Sequence, residues 1–436
     1  MKNRIFNRTS GALLATAVAT AIAMPASAYN LYSEKGKELN LDIEAVAGYF
    51  SSDESYAQTP SQASSPSWTE GYVKYGLSGK SALGEGELFG AVNALTSGTW
   101  GDGDAAGFTT GAERDTEIED LYIGYRNDLF ELSAGSQNLT IGDGFILNGD
   151  ALNLGEGLDG IAPNFSADRG GAYWLAARKA FDKTAVLRVG GDSGLRSDLF
   201  WFESDNPAQA SVEMAGINLE YVTDKGTFAL MHLKGLDVDD NEAAFMGYAG
   251  RDGQKTTSLR YQGNAGVENL FLSAEYVDQS QGDSSADANA WYGEAGWTFT
   301  GLPWSPSVNY RYTSYDAGYD PLFFGFNRGY GTWFQGEVAA NYAGPFGTDS
   351  DVHYLGVKAN PTELLTVGAG YFNFSDTAGG SGDNDGQELD IWAEWVANDH
   401  LIISPLIGFY TPDSASSTQG NDDTNTYAQV IAIVPF

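Results

Sequence analysis

The last twelve positions, 425–436, restrict the possible folds more than any other stretch. Counting back from Phe436, residues Val434, Ala432, Val430 and Ala428 share one face, Gln429 and Tyr427 lie on the other, and the chain stops on the aromatic. The matching stretch near the start sets Leu39, Leu41, Ile43, Ala45, Ala47 and Tyr49 against Asn40, Asp42, Glu44, Val46 and Gly48. Apolar and ionisable side chains alternating at period two suit a strand with hydrocarbon on one side and water on the other. Pairing the first strand with the last removes both sheet edges, as a bilayer requires, because it holds no water to satisfy open backbone groups. The expected fold class is therefore all-β, a transmembrane antiparallel β-barrel.

Before that first strand the chain carries Lys2, Arg4 and Arg8, an apolar run over 11–24, and Ala26-Ser27-Ala28. This pattern predicts a secretory signal over 1–28, cut before Tyr29, and a single barrel domain over 29–436. No later stretch approaches the ~18 uninterrupted apolar residues of a spanning helix. Cys is absent, which excludes disulfides and thiolate metal sites. The formal charge is -35, and removing the three basic residues of the signal leaves 20 basic against 58 acidic residues, or -38. Such a surface excludes nucleic acid as a partner. Export with a barrel predicts the outer membrane of a Gram-negative bacterium, surrounded by its lipid and lipopolysaccharide, with the Phe436 strand read by the barrel-assembly machinery.

Long loops should emerge at the cell surface and short turns should face the periplasm, so loop parity tests each strand assignment. Parity predicts a descending strand over 172–181 and one long bent strand over 184–203. It also assigns 333–342 to a structured surface loop. The total is about 18 strands, within a range of about 16–20, a size that normally leaves an aqueous channel. The loop 142–169 carries Ile146, Leu147, Leu152, Leu154, Leu158 and Ile161. So many apolar residues imply either folding into the barrel or packing against neighbouring loops.

The run Asp120-Leu121-Tyr122-Ile123-Gly124-Tyr125, followed by Gly135-Ser136-Gln137-Asn138-Leu139-Thr140-Ile141-Gly142-Asp143-Gly144, resembles the alginate-export family of outer-membrane barrels. Asp320-Pro321-Leu322-Phe323-Phe324-Gly325, Gly331-Thr332-Trp333-Phe334-Gln335-Gly336-Glu337 and the turn Asn360-Pro361-Thr362-Glu363 look like later family signatures. The resemblance implies an eighteen-stranded barrel. Ser136 stands where the family usually has arginine, and members that pass anionic alginate line their constriction with arginines. That departure ranks polymer export below diffusion of small solutes.

Alternation places Arg126, Arg178, Arg188, Lys234, Arg260, Arg311 and Lys358 toward the lumen. Lumenal acids are Asp42, Glu44, Glu70, Glu87, Asp120, Glu131, Glu220, Glu275, Glu294, Asp390 and Glu394. The first and last strands are then acidic inside, and Arg126 through Arg311 form a basic side. Opposed charges across a narrow lumen create a transverse field that selects ions. The same charges could instead neutralise one another and hold the wall in shape.

Gly101-Asp102-Gly103-Asp104 and Gly382-Asp383-Asn384-Asp385-Gly386 are fragments of calcium-loop spacing without a closing Glu, so no metal site is expected. Of the histidines, His353 should face lipid, His400 sits in a turn, and His232, read as lumenal near Lys234, has no serine in triad pattern. No catalytic residue and no cofactor are expected, so the chain reads as a channel and not an enzyme. The leading function is a porin for passive diffusion of small hydrophilic, including anionic, solutes. The alternatives are export of an acidic, alginate-like polysaccharide and a non-conducting surface adhesin barrel.

Overall fold

The computed structural model describes residues 29–56, 64–160, 165–282, 287–325, 335–339, 348–377 and 383–435. The signal over 1–28 and Phe436 lie outside them. The first strands are β1 (Tyr29–Glu34), β2 (Lys37–Ser52), β3 (Ser67–Leu83), β4 (Gly86–Gly101), β5 (Arg114–Arg126) and β6 (Phe130–Asn138). They continue with β7 (Ala180–Val189), β8 (Gly194–Glu203), β9 (Glu213–Thr223), β10 (Gly226–Asp237), β11 (Lys255–Gly263), β12 (Leu270–Ser280) and β13 (Ala288–Thr298). The last are β14 (Ser307–Tyr315), β15 (Ser350–Thr362), β16 (Leu365–Ser375), β17 (Gly386–Asn398), β18 (Leu401–Pro412) and β19 (Asn425–Pro435).

From β2 onward each strand pairs antiparallel with the next. β19 returns to β2 with Ala432 opposite Ala47 and Val434 opposite Ala45, so β2–β19 form a closed barrel of 18 strands. The outward faces of the two closing strands carry the apolar rows read from the sequence: Tyr49, Val430 and Val434 are exposed, while Phe50, Tyr427 and Ile431 are buried inside. β1 was not anticipated. Its Tyr29 lies opposite Leu41 and its Glu34 opposite Lys37. That is the part of β2 which β19 does not reach, because Pro435 stops opposite Glu44. The leading segment therefore covers backbone groups that barrel closure leaves open.

Every connection after an even-numbered strand is longer than a tight turn, and those after odd-numbered strands are mostly short, so the two ends differ as parity requires. Two expectations need correction. The stretch 172–179 is not a strand. Ala172 and Ala176 take positive φ values of 54° and 46°, and Tyr173, Trp174 and Leu175 are all buried, whereas a lipid-facing strand must expose alternate residues. The expected bent strand over 184–203 is instead the hairpin β7–β8, with Lys183 opposite Glu203 and Val189 opposite Ser197. Gly190 (φ +105) and Gly194 (φ +81) make its turn. One strand lost and one gained leave the count and parity unchanged.

Of the expected surface loop over 333–342, the described part is 335–339, and it lies inside the barrel against β17. Glu388 accepts hydrogen bonds there from the amides of Val338 (2.8 Å) and Ala339 (2.7 Å).

Candidate functional site: a charged lumen beneath inward-folded loops

The loop 139–179 resolves the choice posed by its apolar residues, since different parts of it do each thing. Its first flank crosses to the far wall. Phe145 packs on Tyr292 of β13 at 5.0 Å and on Tyr315 of β14 at 5.7 Å, and Tyr292 Oη donates to Asp143 Oδ2 at 2.5 Å. Asn148 N donates to Phe323 O at 2.7 Å, joining this flank to the loop before β15. Its second flank turns onto the opposite wall, where Trp174 meets Trp68 edge-on at 5.1 Å and Leu175 N donates to Glu70 Oε2 at 3.0 Å. Its tip packs against the loop before β5, with Gly155 N donating to Phe108 O at 2.9 Å. The outer part of the lumen is thus narrowed by two apolar contacts anchored on opposite sides.

Toward the short-turn end the wall becomes polar. A cleft of about 510 Å³ is lined by Arg188, Arg196, Asp198, Asn218, Glu220, Arg260 and the loop residues Thr140, Ile141 and Gly142. Arg260 Nη2 bonds Glu220 Oε1 at 2.8 Å, and Arg196 Nη2 lies 2.5 Å from the other oxygen of Glu220. Arg188 Nη1 reaches Glu131 Oε1 at 2.6 Å, and Arg126 Nε reaches Glu87 Oε1 at the same distance. The Arg188 and Arg196 side chains are 43% and 45% exposed, so these guanidinium groups meet the lumen while Arg260 lies behind them at 5%. Gly142 takes φ +66 where the loop meets this wall, a conformation L side chains rarely adopt, and its lack of a Cβ leaves room for the Arg260 guanidinium.

Of the other residues assigned inward by alternation, Asp42 and Glu44 on β2 and Asp120 on β5 line the wall between the closing strand and β7. Asp42 accepts from Ser78 Oγ at 3.0 Å, Glu44 from Tyr72 Oη at 2.8 Å, and Asp120 from Asn93 Nδ2 at 3.0 Å. Glu294 is 3.7 Å from Arg311 Nη1, and Arg311 lies 4.9 Å over the Tyr354 ring. Lys358, Asp390 and Glu394 also share the inner face of their strands. Arg178 reaches the interior from the loop and not from a strand, 3.5 Å from Glu119 and 3.4 Å from Asp205.

Lys234 does not face the lumen. It is exposed on the outward face of β10 with Phe228, Leu230 and His232, while Met231 and Leu233 are buried inside. Alternation places Lys234 correctly once Met231 and Leu233, not His232, are taken as the inward row. At least three cations on inward faces were missed, Lys80 of β3, 3.4 Å from Glu38 Oε2, among them. Lys74, 3.6 Å from Asp120 Oδ2, follows directly from Glu70 by the same alternation. Arg196 was hidden by the merged strand, which left β8 without a face assignment.

The segment 335–339 adds a pH-sensitive contact. Glu337 N donates to Asp390 Oδ2 at 3.2 Å, beside Glu388 and its bonds to Val338 and Ala339. Burial, and then the nearby Glu388 carboxylate, push the Glu337 pKa well above its ordinary 4.5. A raised carboxyl pKa carries no penalty below that ordinary value and an increasing one as pH rises through the folded-state pKa. The segment should therefore dock most tightly in acid. Hydrogen exchange at Val338 and Ala339 is expected to accelerate by more than intrinsic base catalysis as pH rises above about 4.5, and less so in Glu337→Gln. Equal pH dependence in the two proteins would remove Glu337 from this role.

No protein-family model matches the chain, and no curated protein matches its sequence. Solved structures do match in fold, and they are outer-membrane porins of the Occ/OprD group. Pseudomonas aeruginosa OccK5 (OpdH) superposes with a TM-score of 0.57 at 12% identity, over 91% of this chain and 98% of that one. Acinetobacter baumannii OccAB4 gives 0.58 at 11%, over 93% and 99%. P. aeruginosa OpdK, solved with vanillate, gives 0.58 at 10%, over 91% and 98%. These are structural neighbours from the Occ/OprD group, and at such identities the likeness is one of fold.

Proposed function

We propose that the chain is a passive porin of the Gram-negative outer membrane, admitting small hydrophilic solutes with preference for anionic or zwitterionic ones. The observation that carries this reading is the pair of exposed guanidinium groups, Arg188 and Arg196, at the cleft beneath the inward loop. Asp42 and Glu44 stand on β2, several strands round the ring from them, so a solute passing between the two groups crosses a field that favours negative charge on one side. The reading includes export by the 1–28 signal, insertion through the barrel-assembly machinery at the closing strand, contact with lipopolysaccharide, and no catalytic activity.

The test is the reversal potential in planar bilayers under a KCl gradient, together with liposome swelling on sugars, amino acids and carboxylates. Anion selectivity is expected, falling severalfold in R188Q/R196Q. Cation preference in the unaltered protein would refute the reading.

The two apolar contacts across the outer lumen favour one other reading, a non-conducting surface barrel, and the absence of single-channel current would establish it. Kinship with alginate-export barrels is supported by the motifs at 120–125 and 135–144. Polymer export is disfavoured, since Ser136 Oγ lies 3.1 Å from both Glu119 O and Phe181 O, either of which can accept its one hydrogen, and brings no cation to the path.

A further inference from the structure

The outward position of Lys234 has a counterpart on the next strand. Lys255 of β11 stands directly opposite Lys234 in the register, and both side chains are exposed on the outer wall. They lie at the long-loop end, where each strand meets the loop 238–254. Like charges directly opposite one another destabilise a strand pair unless something between them compensates. Neither lysine forms an ion pair among the described residues. The outward acids nearest by register are Glu213, two positions from the residue opposite Lys234, Asp237, directly opposite Glu213, and Asp278, two positions from the residue opposite Lys255. Glu213 is engaged by Trp201 Nε1 at 2.6 Å.

Below the lysines, β10 to β13 form a groove of about 490 Å³, whose outward walls are Phe228, Leu259, Tyr261, Tyr276 and Trp291 around the small side chain of Ala274. Leu259 lies four residues from Lys255 on β11, roughly 13 Å along the strand, which is within reach of an acyl chain whose headgroup sits at the lysines. Two cations at headgroup level above an apolar trough match a lipid that carries phosphate. Elsewhere a protein of formal charge -35 repels such a lipid.

We infer that Lys234, Lys255 and this groove bind one phosphorylated, acylated lipid of the outer leaflet, the ammonium groups sharing its phosphate and the groove holding an acyl chain. The inference rests on the outer-membrane reading of the barrel. It needs no particular solute.

The test is native mass spectrometry of the full chain in detergent, titrated with bis-phosphorylated lipid A, the dephosphorylated lipid or phosphatidylethanolamine, for the unaltered protein and for K234Q/K255Q. Single-channel conductance is recorded on both. The expected result is a retained lipid A adduct whose apparent affinity falls about thirtyfold in the double variant, corresponding to roughly 1 kcal/mol per lysine, with conductance unchanged. Equal retention by the double variant, or of the dephosphorylated lipid, would overturn the site. So would a dimer mass lost in K234Q/K255Q, which would assign the face to a second copy of the chain. Absence of conductance in both proteins would count against the porin reading alone, since the adducts still decide the site.

Discussion

Replacing Arg251 with alanine is expected to lower the unfolding midpoint in detergent sharply and to expose the loops at the outer mouth to protease. Arg251 is 1% exposed. Its Nε and Nη2 clasp the two oxygens of Asp320 at 2.7 and 2.8 Å, its Nη1 bonds Gln209 Oε1 at 2.8 Å, and its guanidinium lies 3.6 Å over the Tyr248 ring. One side chain thus ties together the loops after β8, β10 and β14. Truncation leaves Asp320 buried without its cation, and breaking a buried pair from one side costs about 3–5 kcal/mol. Arg251→Lys keeps the charge and loses the two-pronged geometry, so an intermediate midpoint is expected. Burial alone would raise the Asp320 pKa, but the Arg251 charge and hydrogen bonds override it and hold the carboxyl below its ordinary 3.8. A depressed carboxyl pKa stabilises above the ordinary value and loses that stabilisation as pH falls through the folded-state pKa. The latch should therefore release only below about pH 3.8 and hold throughout the neutral range. Thermal scans and limited proteolysis check both points, and a midpoint for R251A equal to that of the unaltered protein would show that the latch adds nothing.

The barrel itself was legible because its physics is local. Hydrocarbon outside and water inside impose period two on every strand, and the alternations at 39–49 and 428–434 correctly gave the partners that close the ring. Failure came where a different environment produced a similar pattern. The Tyr173-Trp174-Leu175 stretch is apolar because it is buried on both sides inside the lumen, and a sequence does not state whether an apolar side chain is covered by lipid or by the opposite wall. β1 escaped notice because it pairs only with the part of β2 beyond the end of β19. That stagger is a property of barrel closure and of no single segment.

The charged faces were legible only in part. Arg126, Arg188, Arg260 and Arg311 lie on the inner faces that alternation assigned, but whether they select ions is for the bilayer to decide. Lys234 went astray because β10 carries apolar residues on both faces: lipid covers Phe228 and Leu230, and the inward loops cover Met231 and Leu233. Period two then has no polar row to mark the water side. The same inward loops that obscured this strand form the constriction, so the hardest part of the sequence to read is the part that would control passage.

Trp174→Ala should therefore have the largest effect on conduction. The Trp174 ring sits 5.1 Å from Trp68 and 6.3 Å from both Phe50 and Tyr427, on the inner wall where β19 closes onto β2 and β3. Truncating a buried tryptophan costs about 3–5 kcal/mol, and here the loss falls on loop docking, because the barrel wall keeps its own ladder of backbone bonds. Such a loss shifts the ratio of docked to undocked loop by roughly a hundredfold or more. Polar tethers remain, among them Leu175 N to Glu70 Oε2 at 3.0 Å, Ala172 N to Thr99 Oγ1 at 3.0 Å, Ser97 Oγ to Gly170 O at 3.2 Å and Lys179 N to Glu119 Oε1 at 2.7 Å. With these in place the flank should move in and out of the lumen instead of leaving it. The expected record is a higher mean single-channel conductance with added open-channel noise, and T99A combined with W174A should raise the mean further. Far-ultraviolet circular dichroism and heat-modifiable gel mobility establish that each variant is a folded barrel. A folded W174A with unaltered conductance and noise would mean that this flank does not narrow the path, and the constriction would then have to lie at the Phe145 contact on the far wall.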